Sequence, residues 1–186
     1  MVDFNKHMIR MQDASNPKAL TVISRVHAVA GYIGGDTPNI WPDNSSGWKR
    51  KEFTGLKKLP IFVRSTVVGA SGGKADAFTA LESLYALSVP HGSAVIYDRE
   101  SNTDTEATAA FNEVMQWAEY KPMPYGSTGN IFKHPAPFGY WVDDPTGQPH
   151  MYTGGNDVRI TQYSNLGDYD LSEIHHWVFD RYLKVW

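Results

Sequence analysis

The sequence contains no cysteine, which excludes disulfide bonds and thiolate metal sites and gives no information on the redox compartment. No apolar run is as long as a membrane span, so no membrane association is expected. The formal net charge of -3 offers no electrostatic basis for binding nucleic acid or an anionic surface. The opening stretch MVDFNKHMIRMQD lacks the apolar core of a signal peptide, so any action outside a cell would need another route of delivery.

Several common enzyme motifs are also missing. There is no G-x-S-x-G nucleophile elbow and no H-E-x-x-H metal spacing. The stretch GASGGKAD at 69–76 lacks the glycine spacing of a phosphate loop, and we interpret it as a flexible loop at a cleft rim; a phosphate-binding α/β enzyme is a remote alternative. Adjacent His175 and His176 cannot share a helix face, which favours surface or capping roles. We therefore predict no metal ion and no organic cofactor.

The chain of 186 residues is long enough for one domain with a sizeable core, and we predict a single domain over 1–186. Its first two thirds alternate strand-like and helix-like runs. Asn16-Pro17 is typical of a helix start, and Thr103 with Glu106 forms a capping-box pattern. The predicted strands cover 7–13, 27–35, 59–66, 92–98 and 123–127, and the predicted helices cover 17–26, about 46–57, 75–89 and 103–120.

The pattern changes after residue 125. FGYWVDD, HMYTG and VRITQYS are predicted strands too close together for full helices between them, and LSEIHHWVFDRYL predicts a closing helix. About five βα units followed by three strands indicate an α/β fold whose active residues lie at the C-terminal ends of parallel strands. Eight strands allow closure into a small irregular barrel, and an open doubly wound sheet is the alternative.

The stretch AVIYDRE ends a predicted buried strand with two acids. Because side chains alternate along a strand, Asp98 and Glu100 should project to the same side. Two acids in a partly dry cleft repel each other, so one tends to keep its proton, and cleavage of a glycosidic bond needs such an acid beside an anionic partner. Asp-x-Glu by itself is a weak motif, and the alternative is a loop or cap before the helix at 103.

Further acids stand at the ends of other predicted strands. Asp13 ends the first strand, and Asp168 and Asp170 follow the last, so a closed barrel would bring them to the same mouth as Asp98. For Asp168, helix capping explains the position as well as chemistry does. We interpret Asp143 as a turn residue because it stands shortly before Pro145-Thr146-Gly147.

Aromatic residues make up 13% of the chain, a content that suits a sugar-binding cleft, although core packing explains most single residues. Core packing is the better explanation for Trp48 and Trp141. The stretch YGSTGN at 125–130 should line the mouth of the barrel. We predict substrate-binding aromatic residues at Tyr32, Trp41, Tyr125 and Tyr140.

Three of these stretches, MQDASN, VIYDRE and RITQYSNLGDYDLSEI, together resemble the family 25 glycoside hydrolases, the muramidases that cut peptidoglycan. Their pattern is an Asp at the first strand, Asp-x-Glu at the fourth, and a closing Gln-Tyr followed by Asp-Leu-Asn. YIGG with LPIFV, and PHGSAVIYDRE, are still more similar to the related actinobacterial glycoside-hydrolase-like domains. The resemblance spans nearly the whole chain through short motifs.

The resemblance implies an irregular TIM-like (β/α)5β3 barrel, in agreement with the count of strands made from the sequence. It also implies that Glu100 is the general acid. The remaining site residues that it implies are the neighbouring carboxylates Asp98, Asp13 and Asp170 and the floor residues Gln162 and Tyr163.

Two positions depart from the pattern of the muramidases. Ser172 stands where Asn is usual, and Arg99 replaces a small or apolar residue between the two acids. On a barrel strand Arg99 should point towards the helix layer, where an unpaired charge is costly. We therefore expect it to pair with an acid or to reach solvent.

The expected function is cleavage of cell-wall glycan, in particular peptidoglycan, by carboxylate acid–base chemistry. The alternative is a non-catalytic glycan-binding or structural module, such as a phage tail or virion component. The expected partners are a cell-wall polysaccharide and, for a phage component, other virion or tail proteins. The missing secretion segment fits a phage-delivered protein.

Overall fold

The computed structural model describes residues 9–18, 20–22, 24–64, 66–100, 102–155 and 157–186. Eight strands close into one barrel, each paired with its neighbours in sequence and the last with the first. The closed barrel confirms the predicted fold class and excludes the open doubly wound sheet. The strands are β1 (Ile9–Asp13), β2 (Val26–Gly35), β3 (Lys57–Val63), β4 (Ala94–Asp98), β5 (Lys121–Ser127), β6 (Tyr140–Asp143), β7 (Val158–Asn165) and β8 (Asp170–Ile174). His7 and Met8, the start of the first predicted strand, lie outside the described residues.

The strands run parallel from β1 to β7, and the direction reverses at β8. β8 is antiparallel to both β7 and β1. The C-terminal ends of seven strands and the N-terminal end of β8 therefore lie at the same mouth of the barrel. Asp170 reaches this mouth by opening the eighth strand, not by following it as the sequence interpretation held.

Buried side chains alternate between two layers, as the two-residue period of a strand requires. One row fills the barrel interior, and its apolar members include Met11, Ala28, Leu59, Ile96, Met123 and Ile160. The other row faces outwards into a layer that contains Val29, Phe62, Val95, Tyr97 and Phe111. The last interior-facing residue of each parallel strand lies at the mouth of the barrel, where its side chain can contact a ligand.

Two long helices cover part of the outer layer. α1 (Gly69–Ala86) connects β3 to β4, and α2 (Thr105–Trp117) connects β4 to β5. The side chain of Asp104 caps α2 by accepting a hydrogen bond from the N–H of Ala107 at 2.8 Å, so the cap lies one residue beyond the predicted Thr103.

A short helix, α3 (His176–Tyr182), follows the last strand. The ring of His175 caps it by accepting a hydrogen bond from the N–H of Trp177 at 3.2 Å, which confirms the predicted capping role. None of the described helices has the length and apolar character needed to cross a membrane.

The predicted helix at 17–26 is wrong. Asn16 accepts a hydrogen bond from the N–H of Lys18 at 3.0 Å, which forms an Asx turn and not a helix cap. The described residues that follow are non-helical up to the start of β2. The stretch is rich in β-branched residues, which have low helix propensity, and its Leu20 is fully buried.

The predicted helix near 46–57 is reduced to one 3₁₀ turn at Lys51–Phe53. The segment is an irregular loop organised by ring packing around Trp41. This ring stacks on Phe53 with the centroids 5.5 Å apart and contacts Trp48 at 4.7 Å. Burial of aromatic rings therefore overrides local helix propensity in this loop.

The stretch GASGGKAD is helical and does not form a flexible loop, because α1 begins at Gly69. Its glycines allow close contact with α2. A Cβ on Gly73 would lie 2.0 Å from the carbonyl oxygen of Ala107, and the N–H of Gly69 donates to the Asp104 carboxylate at 2.9 Å. Close helix packing, and not phosphate binding, accounts for this composition.

The predicted strand HMYTG, 150–154, is part of an irregular loop between β6 and β7. The N–H of Tyr152 donates to Oγ1 of Thr161 at 2.9 Å, so a side chain satisfies it and no neighbouring strand does. The eighth strand is instead β8, which takes up the first part of the segment predicted as a closing helix.

Candidate active site

The last interior side chains of the strands line a hollow of about 200 Å³ at the mouth of the barrel. No lysine, arginine or histidine belongs to the described lining, so its acids have no cationic neighbour within the hollow. The lining acids are Asp13, Asp98, Glu100, Asp143 and Asp170. The lining also includes Tyr32, Ile61, Tyr125, Trp141 and Gln162.

Asp98 and Glu100 occupy different depths of this hollow. Asp98 ends β4, and its side chain is buried. Its Oδ1 accepts a hydrogen bond from the N–H of Glu100 at 3.1 Å. Glu100 is exposed at the edge, and its backbone lies against Gly126, where an added Cβ would be 3.4 Å from the Cα of Glu100. The pair thus combines one buried carboxyl with one that faces solvent.

Asp13 and Asp170 come to the hollow from adjacent strands. They are cross-strand partners at the mouth, where β1 pairs with β8. Asp13 is 8% exposed, and its Oδ2 has no hydrogen-bond partner among the described residues. An unpaired buried acceptor is costly, and this cost adds to that of ionising Asp13.

Asp143 is a lining residue that the sequence interpretation missed. Its Asp-Asp-Pro-Thr-Gly context is typical of a turn, but β6 extends through Asp143, which pairs with Ser127 and Gln162. The alternation of side chains could have identified it, because Asp143 stands two residues after the interior Trp141. Asp144 has a different environment and contacts His150 at 2.8 Å.

Aromatic and amide side chains form the wall between the acids. The hydroxyl of Tyr125 donates to Oε1 of Gln162 at 3.0 Å, and its ring packs on Trp141 with the centroids 4.9 Å apart. The indole nitrogen of Trp141 is buried without a hydrogen-bond partner among the described residues. The indole nitrogen of Trp141 and Oδ2 of Asp13 are thus two buried polar atoms that no described residue satisfies. Tyr32, half-buried on β2, completes this wall.

Three residues predicted to bind substrate do not line the hollow. Trp41 is 1% exposed, and its indole N–H donates to a backbone carbonyl at 3.1 Å, so it is a core residue. Tyr163 is buried on the outer side of β7, because its neighbour Gln162 points inwards. Tyr140 begins β6 at the end remote from the mouth and lines a separate shallow hollow. The predicted grouping of these rings with the acids is corrected accordingly.

Two charged residues near the site differ from expectation. Asp168 is exposed in the turn before β8 and caps none of the described helices. Arg99 points into the helix layer as predicted, but it is fully buried and has no carboxylate partner among the described residues. Its guanidinium donates to the backbone carbonyls of Arg64 and Val67 at 2.8 and 3.0 Å. Backbone dipoles therefore take the place of the expected acid or solvent.

Burial raises the pKa of the deep acids. Burial is the largest cause for Asp98, whose pKa rises to about 7, and repulsion from Glu100 adds to this rise while the N–H of Glu100 opposes it. The pKa of Asp170 rises to about 6 through burial, followed by repulsion from Asp143 and Glu100. For Asp13, burial and then repulsion from Asp170 are the leading causes of a pKa well above the usual value.

The shallower acids respond to the same two causes. Burial and then the charge of Asp143 raise the pKa of Glu100, and burial and then Asp144 raise that of Asp143. The cluster can therefore hold protons near neutral pH, so it can donate a proton and present a carboxylate at once. Among the described residues, no group of three or more His, Cys, Asp or Glu side chains is arranged to hold a metal ion.

No protein-family model and no curated protein matches the sequence. Solved structures do match its fold. A family 25 glycosyl hydrolase from Bacillus anthracis gives a TM-score of 0.71 at 13% identity, over 96% of this chain and 95% of that one. The catalytic domain of endolysin ply40, from bacteriophage P40 of Listeria monocytogenes, gives 0.66 at 10% identity, over 94% and 97%.

A third similar structure is the modular autolysin LytC from Streptococcus pneumoniae, in complex with a synthetic peptidoglycan ligand. It gives a TM-score of 0.67 at 14% identity, over 91% of this chain and 47% of the autolysin, so the chain spans about half of that protein. At such identities the likeness concerns the fold alone. The chain has the fold of the family 25 glycoside hydrolases, which confirms the resemblance seen in its motifs.

Proposed function

We propose that this protein is a glycoside hydrolase that cleaves cell-wall glycan, with peptidoglycan as the substrate. The observation that carries the proposal is the group of five carboxyl side chains around one hollow at the barrel mouth. Their raised pKa values support proton donation near neutral pH. The peptidoglycan ligand of the structurally similar autolysin supports the choice of glycan.

In the proposed reaction, Glu100 donates a proton to the glycosidic oxygen as the bond to the sugar carbon breaks. Water then adds to that carbon, and the proton it releases restores the acid. Its exposed position at the edge leaves it accessible to a polymer that lies across the mouth. Asp98, deeper in the hollow, is the carboxylate that stabilises positive charge developing on the sugar ring or orients a substrate group. Cleavage then requires a protonated Glu100 and an ionised Asp98. Because burial raises the pKa of Asp98 to about 7, the proposed roles require Asp98 to lose its proton while Glu100 keeps its own.

Asp13 and Asp170 have a binding role in this proposal. Both residues line the hollow as cross-strand partners, and their carboxyls accept hydrogen bonds from sugar hydroxyls. Tyr32, Tyr125 and Trp141 supply the ring surfaces against which a sugar packs, and Gln162 holds the hydroxyl of Tyr125. These contacts serve binding, whereas proton transfer from Glu100 serves cleavage.

The test is to incubate the purified protein with peptidoglycan and with soluble chitin-type oligomers between about pH 4 and pH 8. Sedimentation measures binding, and new reducing ends measure cleavage. The variants are Glu100→Gln and, as a matched control, Glu82→Gln, which removes an exposed acid from α1. We expect Glu100→Gln to bind glycan and release no reducing ends, while Glu82→Gln behaves as wild type.

Binding without release at any pH in the wild type would contradict the hydrolase and leave the non-catalytic glycan-binding module. If the wild type shows no binding and no release, a purely structural role is favoured. Full cleavage by Glu100→Gln would exclude Glu100 as the acid. Delivery by phage is supported by the phage origin of the similar endolysin domain, and detection of the chain in purified particles is its test.

A further inference from the structure

The fully buried guanidinium of Arg99 stands directly behind the acid site. Arg99 lies between Asp98 and Glu100 in the sequence but points to the outer layer. Its Nη1 donates to the carbonyl oxygen of Arg64 at 2.8 Å, and its Nη2 to that of Val67 at 3.0 Å. A buried cation without an anionic partner carries a large desolvation cost. Packing alone does not offset this cost, and the contacts of Arg99 show which segments it holds in place.

The carbonyls that Arg99 binds belong to the segment between β3 and α1. A second side chain binds the same segment, because Nδ2 of Asn102 donates to the carbonyl oxygen of Val67 at 2.9 Å. The Asp104 carboxylate then joins the two segments again by accepting a hydrogen bond from the N–H of Gly69. Three side chains that follow β4 therefore hydrogen-bond to the segment between β3 and the start of α1.

Glu100 lies in the segment that follows β4 and carries these three side chains. The N–H of Arg99 donates to the carbonyl oxygen of Tyr125 at 3.0 Å, and the carbonyl oxygen of Arg99 accepts from the N–H of Asn102 at 3.0 Å. Glu100 itself is anchored through its N–H to Asp98. Backbone contacts therefore fix the main chain from which the Glu100 side chain projects.

The guanidinium of Arg99 packs against the ring of Tyr97. The Cζ of Arg99 lies 4.9 Å from the Tyr97 ring centroid, and that ring stacks on Phe111 with the centroids 3.9 Å apart. The hydroxyl of Tyr97 donates to Asp76 at 2.6 Å, and Asp76 also accepts from Arg64 at 3.0 Å. Arg99 is therefore held by a packed and hydrogen-bonded layer, which makes it a rigid support.

We propose that Arg99 is a positioning residue for Glu100: its guanidinium binds the turn after β3 and so holds Glu100 where it can donate a proton. The inference rests on the proposed function for its catalytic consequence. Its structural part, the immobilisation of the turn that carries Glu100, can be tested without any reaction. Small displacements of a catalytic group reduce the rate strongly while leaving substrate binding largely intact.

The experiment compares Arg99→Met, which keeps the unbranched stem but loses the donors, with Arg99→Lys, which keeps the charge and can reach fewer carbonyls. Arg181→Met, an exposed change on α3, is the matched control. Amide hydrogen exchange measures the protection of Asn102 and Gly69, with β5 amides as the internal reference. Steady-state assays on soluble peptidoglycan fragments measure kcat and KM separately.

In Arg99→Met we expect faster exchange at Asn102 and Gly69, unchanged exchange in β5, and a fall in kcat of about 10- to 100-fold with KM within about twofold. Arg99→Lys should lie between wild type and Arg99→Met, and Arg181→Met should match wild type. Wild-type exchange and kcat in Arg99→Met would overturn the proposal. Loss of the folded barrel in both Arg99 variants would also overturn it, because Arg99 would then support the whole fold.

If the wild type cleaves no glycan, the proposed function fails and the exchange data still decide the positioning role. Faster exchange confined to the two turns would then support Arg99 as the residue that holds Glu100 at the hollow. Unchanged exchange would contradict it. The two failures are therefore distinguishable.

Discussion

Asp13 and Asp170 are direct cross-strand partners at the barrel mouth, so two carboxyls face each other where the first and last strands meet. Like charges in this position destabilise a pair of strands. Burial raises the pKa of both residues; repulsion from Asp170 adds to the rise for Asp13, and repulsion from Asp143 and Glu100 adds to it for Asp170. The native state gains from protonating them, and the free energy of unfolding should therefore depend on pH in a defined direction.

The first prediction concerns that dependence. The folded-state pKa of Asp170, about 6, lies above the ordinary value, so its contribution to stability is full below pH 4 or so and is lost as the pH rises through 6. Asp170→Asn removes the repulsion and should raise the free energy of unfolding at about pH 8 by on the order of 1–2 kcal/mol, with little change at about pH 4.5. Denaturant unfolding at both pH values measures this.

The matched control is Asp168→Asn, an exposed acid in the same turn, which should leave the pH dependence of stability unchanged. A destabilised Asp170→Asn at high pH would show that its carboxylate makes a favourable contact that outweighs the repulsion.

The second prediction concerns Asp143. Its charge contributes to the raised pKa of Glu100, so Asp143→Asn should lower that pKa. If Glu100 must be protonated to act, the alkaline limb of the pH–rate profile should move to lower pH by roughly half a pH unit. The measurement is kcat against pH, with Asp168→Asn again as the control. A limb that stays in place would show that Asp143 does not influence the acid.

The third prediction separates core tryptophans from those at the site. Trp41→Phe loses the hydrogen bond to the carbonyl of Ala14 and should lower the free energy of unfolding by roughly 1–2 kcal/mol without changing glycan affinity. Trp141→Phe replaces a ring that lines the hollow with a smaller one and should weaken glycan binding. Equal losses of affinity in the two variants would contradict this assignment.

The fourth prediction tests the packing of β2 against the loop that follows it. A Cβ on Gly31 would lie 2.4 Å from the Trp41 ring, so Gly31→Ala should reduce the free energy of unfolding by about 1–3 kcal/mol. Gly129→Ala, where an added Cβ meets nothing within 4 Å, should change stability far less. Thermal unfolding of both variants provides the comparison, and similar melting temperatures would mean that the loop yields to the methyl group.

All the strands except β8 were predictable from the sequence for a simple physical reason. Runs such as HAVAGYIGG and GSAVIYD fill two buried layers at once, so small apolar and β-branched residues mark them clearly. Asp13 and Asp98 were recognised because they end such runs. Asp143 was not, since its following Pro-Thr-Gly is typical of a turn whether or not a strand precedes it.

The first two connections were not predictable from local preference. The helix expected at 17–26 is replaced by an Asx turn and an extended segment whose Leu20 fills the core, and the next segment is organised by contacts of Trp41. Both outcomes depend on partners distant in sequence, which periodicity does not contain. The same holds for Tyr163, whose orientation is fixed by the register of β7 and not by its neighbours in sequence.

β1 and β8 pair although they are far apart in sequence, so their pairing determines when the acid cluster assembles during folding. Bringing such distant strands together carries a large loop-closure entropy, and contacts of this kind form late in folding. Until then Asp13 and Asp170 are far apart and titrate as ordinary carboxyls. A chain still emerging from the ribosome, with β8 not yet made, contains Glu100 but lacks the assembled cluster. If the folded protein cleaves glycan, this activity should be absent during synthesis until β8 has paired with β1 and β7.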